Sequence, residues 1–427
     1  MAEKLKVGLL GYGTIGSGVI KLLTQSELAI ARAVELVKVA DIDLERPRPV
    51  KADPSLLTTD TESVVKDPGI KVIIELIGGV GAAKKYVEMA LDLGKDVITA
   101  NKHLVSIYGD ELFRRAQKTG ARFLFEASVA GGVPIIKILR EELAADEVLC
   151  INAILNGTCN YILTRMEQQP GMSCAEAVAE AQTRGLAEAD PSLDVSGMDT
   201  AQKLSILIRK AFRTRILPEK MDIQGITGVS NVDVQTAREM GYRIKLLARA
   251  SKEENNLAVW VGPTLIPAGS IMAQVKDEFN AIMINAMAHH QHTYIGKGAG
   301  MMPTAGAVLG DLYTLLGDRK VRTVFAEEPL NLPVLDHAAV RGRFYLRLTV
   351  KDQPGVLARV SSALAARSIS IASVVQKESS EDLERGVPLV IITHETTVGA
   401  VADAVSVIDE ESIVLEPTHT IRIMDVL

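Results

Sequence analysis

The chain has 427 residues, too many for one hydrophobic core, so several domains are expected. Hydrophobic residues make up 47% and charged residues 23%, a globular composition, and no stretch approaches the roughly 18 apolar residues of a membrane span. A net charge of −6, with 53 acids against 47 bases, disfavours a dedicated nucleic-acid binder, which needs a basic face. The cysteines Cys150, Cys159 and Cys174 are sparse and odd in number, which suits a reducing compartment. The opening MAEKLKVGLLGYG is broken by glycines and does not read as a signal peptide, so a cytoplasmic location is expected.

Residues 5–10 (LKVGLL) form a short apolar run that reads as a buried strand. Gly11-Tyr12-Gly13-Thr14-Ile15-Gly16 follows, then SGVIKLLTQ with Val19, Ile20, Leu22 and Leu23 at helical spacing, then the strand VELVKVA (34–40) ending at Asp41. Strand, glycine turn, helix, strand is the order of a dinucleotide-binding fold. Gly11 permits the tight turn, Gly13 lets the backbone approach a pyrophosphate, and Gly16 allows close helix packing. The first helical turn, at Thr14 and Ile15, offers its N–H groups to phosphate. Asp41 is placed to bond the ribose hydroxyls of NAD, whereas Arg46 and Arg48 just beyond suit the 2′-phosphate of NADP.

The alternation continues with VIIELIG (72–78), a helix from about 82 to 93, DVITANKHLV (96–105), a helix over roughly 109–118, and RFLFEASVAGGVP (122–134). This predicts a parallel sheet covered on both faces, with ligands at the carboxyl ends of its strands. Ala100-Asn101-Lys102 are expected to end the strand within 96–105, so Lys102 is a candidate for contact with a substrate carbonyl or a cofactor phosphate. Residues 184–209 (RGLAEADPSLDVSGMDTAQKLSILIR) concentrate Glu188, Asp190, Asp194, Asp199 and Lys203, turning helical near Gly197. Asp199 and Lys203 share a helix face. Carboxylates there can hold an amino group while the lysine shuttles a proton. His289, His290 and His292 match no zinc spacing and read as surface or interface histidines. No cysteine has an evident base partner.

Residues 318–341 are charged and contain prolines, which suggests a linker. Beyond them RFYLRLTV (343–350) alternates as a half-buried strand does, and a turn at Asp352-Gln353-Pro354-Gly355 leads into an amphipathic helix. ISIASVVQKE, VPLVIITHE, the helical VGAVADAVSVID and IVLEPTHTIRIM complete a βαββαβ order, a ferredoxin-like plan. The DQPGVLA turn resembles that of ACT domains, small modules that often bind amino acids.

GYGTIGSGV, TANKHLV, FEASVAGGVPII, NGTCNYILTRM, RGLAEADPSLDVSGMDTAQKL and GKGAGMMPTAGAVLGD occur in this order. Together they resemble the homoserine dehydrogenase family along essentially the whole chain. The resemblance implies an α/β architecture: a Rossmann-type NAD(P)-binding domain (1–130), an α+β substrate and dimerisation domain (131–317), a linker (318–341) and an ACT regulatory domain (342–427). It implies reversible reduction of aspartate 4-semialdehyde to homoserine with NAD or NADP, in threonine, methionine and isoleucine biosynthesis. Lys203 would be the catalytic lysine, Lys102 a second lysine near cofactor and carbonyl, and Asp199 the residue that orients Lys203. Glu188 and Asp194, with Lys203, would hold the substrate, and Gly300 would approach the cofactor. Glu126, Val129, Gly131 and Val133 would hold a monovalent cation, Na+ or K+. Asp352, Gly355 and Val356 would bind threonine as a feedback effector, and a homodimer or homotetramer is implied. Two other readings compete: an aldehyde dehydrogenase working through a cysteine thiohemiacetal, and a catalytically inert amino-acid sensor.

Overall fold

The computed structural model describes residues 4–317, 330–376 and 386–424, so part of the expected linker (318–329) lies outside the described residues. The chain forms two compact units. One comprises Met1–Leu149, Ala201–Lys220 and Phe279–Leu332, the other Cys150–Thr200, Met221–Glu278 and Pro333–Leu427. Among the described residues no helix is long and apolar enough to cross a membrane.

The first unit holds strands β1 (Leu5–Leu10), β2 (Val34–Ala40), β3 (Leu57–Thr58), β4 (Val72–Glu75), β5 (Asp96–Thr99) and β6 (Phe123–Leu124). All pair in parallel, in the order β3-β2-β1-β4-β5-β6, a doubly wound sheet whose direction of winding reverses between β1 and β4. Val7, Leu9, Ile73, Ile74, Val97 and Ile98 are fully buried, as central parallel strands covered on both faces require. A helix from much later in the chain, Met301–Leu316, completes this core with Ala305, Val308 and Leu312. It approaches the helix Thr14–Thr24 at Gly18, where a Cβ would stand 2.8 Å from the Met301 carbonyl oxygen and 2.9 Å from the Ala305 Cβ.

Two expectations along this stretch need correction. The helix expected over 109–118 runs from Lys102 to Thr119, and the 96–105 run stops being a strand at Thr99. Lys102 therefore opens a helix rather than ending a strand. The cause is local: the Asn101 side chain accepts the Leu104 N–H at 3.0 Å and caps the helix.

The second unit contains β7 (Val148–Ile154), β8 (Asp222–Ile223), the long hairpin β9 (Tyr242–Glu253) and β10 (Asn256–Pro267), then β11 (Arg341–Val350), β12 (Ile371–Gln376), β13 (Val387–Thr393) and β14 (Val414–Ile423). Its sheet runs β7-β9-β10-β14-β11-β13-β12. The last four strands, with helices Val356–Ala365 and Val398–Asp409, form the βαββαβ module around Leu346, Leu348, Val360, Leu364, Ile391 and Ala404. The module is not separated from the strands before it. β14 pairs in parallel with β10 through Thr264↔Arg422 and Leu265↔Ile423, so one sheet runs through both.

Candidate active site

At the end of β1, Gly11 takes φ +101°, and a Cβ there would stand 2.5 Å from the Leu76 carbonyl oxygen at the end of β4. A Cβ on Gly16 would stand 2.2 Å from the Gly11 carbonyl oxygen, whereas Gly13 has nothing within 4 Å and faces open space. No side chain caps the helix Thr14–Thr24, so the N–H groups of its first turn are available to an anion. Space at Gly13 and uncapped donors beside it fit a dinucleotide pyrophosphate.

Asp41, at the end of β2, accepts the Tyr12 N–H at 2.6 Å and the Asp43 N–H at 3.0 Å. Arg48 reaches back to it, Nη2 to Oδ1 3.2 Å, with its guanidinium 5.1 Å from the Tyr12 ring centre. The acid and the arginine that suggested opposite cofactor preferences thus form one paired group, and Arg46 is exposed.

The ends of β4 and β5 are tied by a residue the motif reading passed over. Glu75 is fully buried; its carboxylate accepts Ile77 N–H at 2.7 Å and the Thr99 hydroxyl at 2.6 Å, and burial pushes its pKa up. Asn101 donates to the Gly79 carbonyl at 2.5 Å. Together these bonds fix the Gly78-Gly79 turn and the start of the helix that carries the half-buried Lys102. Gly300 is in the same unit, at φ +114°, as the cap of Met301–Leu316.

In the second unit the acid-rich stretch is organised by Asn156. Its Nδ2 donates to Asp194 Oδ1 at 2.7 Å and to Asp199 Oδ2 at 2.8 Å, while its Oδ1 accepts the Cys159 N–H at 2.7 Å and caps the helix Gly157–Gln168. One amide thus fixes two carboxylates. Asp199 is buried and Asp194 half-buried, but Glu188 is exposed and is held near its neighbours through its backbone, whose carbonyl accepts from Gln182 at 3.1 Å. Lys203 lies one turn beyond Asp199 on the helix Met198–Ala211, half-buried. Lys203 and Lys102 belong to the first unit, and Glu188, Asp194 and Asp199 to the second.

A second buried anchor supports the Gly157–Gln168 helix. Lys245 is 2% exposed; its ammonium donates to Asn160 Oδ1 at 2.9 Å and to the Val275 carbonyl at 2.5 Å, and burial lowers its pKa to about 8. Neither Asn156 nor Lys245 was singled out from the sequence. Asn156 had a signal, because an Asn before a helical run is a capping position. A lysine inside an apolar strand pattern gives none.

Around the expected cation segment, the buried Glu126 carboxylate accepts the N–H groups of Ile136 at 2.9 Å and Lys137 at 2.8 Å. Asp311 accepts the Glu126 N–H at 2.9 Å. Burial raises Glu126 to about 7 and Asp311 to about 8. Val129 and Val133 are buried, and the chain bends between them at Ala130, φ 50°. His289 contacts Asp146 at 2.7 Å at the tip of the hairpin Phe279–Ala286/His290–Lys297. Among the described residues no group of three or more His, Cys, Asp or Glu is arranged to hold a metal ion. Burial pushes the Cys150 and Cys174 thiols up, and the Cys159 thiol donates to the Asp194 carbonyl at 3.2 Å. At the other end of the chain, Gly355 is left-handed, φ +91°, ahead of the buried Val356, and Asp352 is exposed.

Family comparisons follow the same order along the chain. Residues 11–126 match "Homoserine dehydrogenase, NAD binding domain", 134–313 match "Homoserine dehydrogenase" and 344–410 match "ACT domain". A homoserine dehydrogenase of Pseudomonas aeruginosa is 39% identical over 432 residues, covering 99% of each chain. The chain belongs to the homoserine dehydrogenase family. A Bacillus subtilis homoserine dehydrogenase is 35% identical, covering 99% of this chain and 98% of its own. The crystal structure of a homoserine dehydrogenase from Thiobacillus denitrificans superposes with a TM-score of 0.91 at 39% identity, over 99% of both chains. The protein is accordingly an NAD(P)-dependent oxidoreductase acting on a CH–OH group. Its fold is the one the sequence implied, with an NAD-binding domain, a mixed α/β portion and a C-terminal ACT domain.

Proposed function

We propose that the homoserine dehydrogenase reaction here divides its work between Lys203 and the carboxylates fixed by Asn156. The observation that carries this is the single amide holding Asp194 and Asp199 at 2.7 and 2.8 Å, with Asp199 one helical turn ahead of Lys203. The bound nicotinamide supplies the hydride in reduction and takes it back in oxidation. Reduction of the aldehyde of aspartate 4-semialdehyde turns its carbonyl oxygen into an alkoxide. The Lys203 ammonium gives that oxygen its proton, and in reverse the Lys203 amine removes it. Asp199 orients Lys203. Glu188 and Asp194 hold the substrate's ammonium, and Lys102 adds a second positive charge beside carbonyl and cofactor. The turn Gly11, Gly13, Thr14, Ile15, Gly16 would hold the pyrophosphate, Asp41 would hold the adenosine ribose, and Gly300 would approach the cofactor.

Glu126, Val129, Gly131 and Val133 are the proposed Na+ or K+ site. A cation beside the buried Glu126 would favour the ionised carboxylate over the neutral form that burial promotes. Residues 342–427 are the proposed regulatory domain, with threonine at Asp352, Gly355 and Val356, in a homodimeric or homotetrameric cytoplasmic enzyme of threonine, methionine and isoleucine biosynthesis.

Initial rates with homoserine and either NAD or NADP, with and without threonine, test this reading. Growth of reduced-nicotinamide absorbance, suppressed by threonine, is expected. Loss of all turnover on alkylating the cysteines would instead favour a thiohemiacetal route.

A further inference from the structure

A cavity of about 570 Å³ opens within the second unit, with no residue of the Asp352–Val356 turn in its lining, in the size range of small-molecule sites. Its apolar side is Val398, Val401 and Val405 of the helix Val398–Asp409, together with the Phe344 ring. Its polar side is Asp222, Gln224, His337 and Arg422.

Arg422 sits on β14 where that strand pairs with β10, and its side chain is 13% exposed. The guanidinium lies 4.9 Å from the Trp260 ring centre and 5.7 Å from that of Phe344, so aromatic rings flank it, and its Nη2 reaches His337 Nδ1 only at 3.4 Å. Asp222 Oδ2 stands 3.4 Å from Arg422 Nη2 and 3.3 Å from His337 Nε2. These are loose contacts, at the outer limit of hydrogen bonding. Gln224, which lines the cavity, donates its Nε2 to the Thr420 carbonyl at 3.0 Å, which leaves its amide oxygen as an acceptor.

One cation and one anion, loosely paired beside an apolar wall, are complementary to a ligand with the same three features. A simple anion or a simple amine would satisfy one charge and strand the other, a costly outcome at a partly buried pair. A zwitterion replaces both partners together: its carboxylate takes the guanidinium edge in bidentate fashion, and its ammonium takes Asp222 and the Gln224 oxygen. We infer that this cavity binds a free α-amino acid with an apolar side chain, carboxylate on Arg422, ammonium on Asp222, side chain on the valines of the helix Val398–Asp409. The site is separate from the proposed threonine site and does not depend on it.

Titration calorimetry on the full chain with L-valine, L-isoleucine and L-methionine tests this, with isovalerate and isobutylamine as the two half-ligands. At least one amino acid should bind, and each half-ligand should bind at least about tenfold more weakly. Ala402 is an exposed residue lining the cavity, so Ala402→Trp should fill the space, and Arg422→Met should remove the carboxylate partner. Each should weaken binding about tenfold or more with turnover retained, while Gly355→Val should leave it unchanged. The inference is overturned if no amino acid binds, if the half-ligands bind as well as the whole, or if Ala402→Trp leaves binding intact. It is also overturned if the wild type binds nothing and Ala402→Trp alters the oligomeric state, which would make this face a subunit contact.

Discussion

The residues that matter most for the chemistry are held by a few side chains whose own role is geometric. Asn156 is the clearest: it spends both amide protons on Asp194 and Asp199 and its oxygen on a helix cap. Asn156→Ala removes the amide that bridges the two carboxylates. It should raise KM for homoserine and lower kcat, at a stability cost of about 1–2 kcal/mol from the lost cap. Steady-state kinetics and a denaturant titration measure the two effects separately. Lys245 makes a prediction in pH. Its folded pKa of about 8 lies below the ordinary lysine value of 10.5, so the unfolded chain binds more protons between those limits. Its contribution to stability therefore rises as pH climbs from about 8 towards 10. Lys245→Met should remove that rise, as chemical denaturation at a series of pH values would show; an unchanged pH slope would mean the ammonium is solvated.

At the scale of elements, the helix Met301–Leu316 closes the core of the dinucleotide-binding sheet although it follows β6 by more than half of the first unit's sequence span. Gly18 is the contact that permits this, so Gly18→Val should force the two helices apart. The expected cost is about 1–3 kcal/mol, seen as a lower Tm, with weakened nucleotide binding because the same helix presents the phosphate-binding turn. The Glu126 and Asp311 pair gives the opposite sign from Lys245. Their folded pKa values of about 7 and 8 lie above ordinary carboxyl values, so the stability tied to them is present at acid pH and lost as pH rises through those values. Asp311→Asn should flatten that loss in unfolding curves measured from pH 5 to 8. Sequence legibility also differs by element. β1, the glycine turn and β2 were readable because their signals are local: an apolar run, fixed glycines, a terminal acid. The helix start at Lys102 was missed because TANKHLV reads as a continued apolar run, and the capping by Asn101 outweighs it. The Asp199 and Lys203 pairing followed from helical period, whereas the Asn156 clamp joins residues 38 and 43 positions apart and leaves no local trace.

For the whole molecule, the sequence suggested a regulatory module set off at residue 342, and the βαββαβ order was legible from alternation alone. Its attachment was not, because a parallel pairing between β10 and β14 joins strands far apart in the chain. Deleting residues 342–427 should therefore bare the edge of β10 and yield an aggregation-prone protein rather than a clean unregulated enzyme. Light scattering of the truncated chain checks this, and threonine sensitivity is better probed by Gly355→Val in the full chain. The central claim concerns one proton. Single-turnover hydride transfer in Lys203→Ala, with nucleotide affinity followed by fluorescence, tests it most directly. A rate at least about 100-fold below wild type with nucleotide affinity preserved is the expected result; a rate within a few-fold of wild type would contradict the assignment of Lys203.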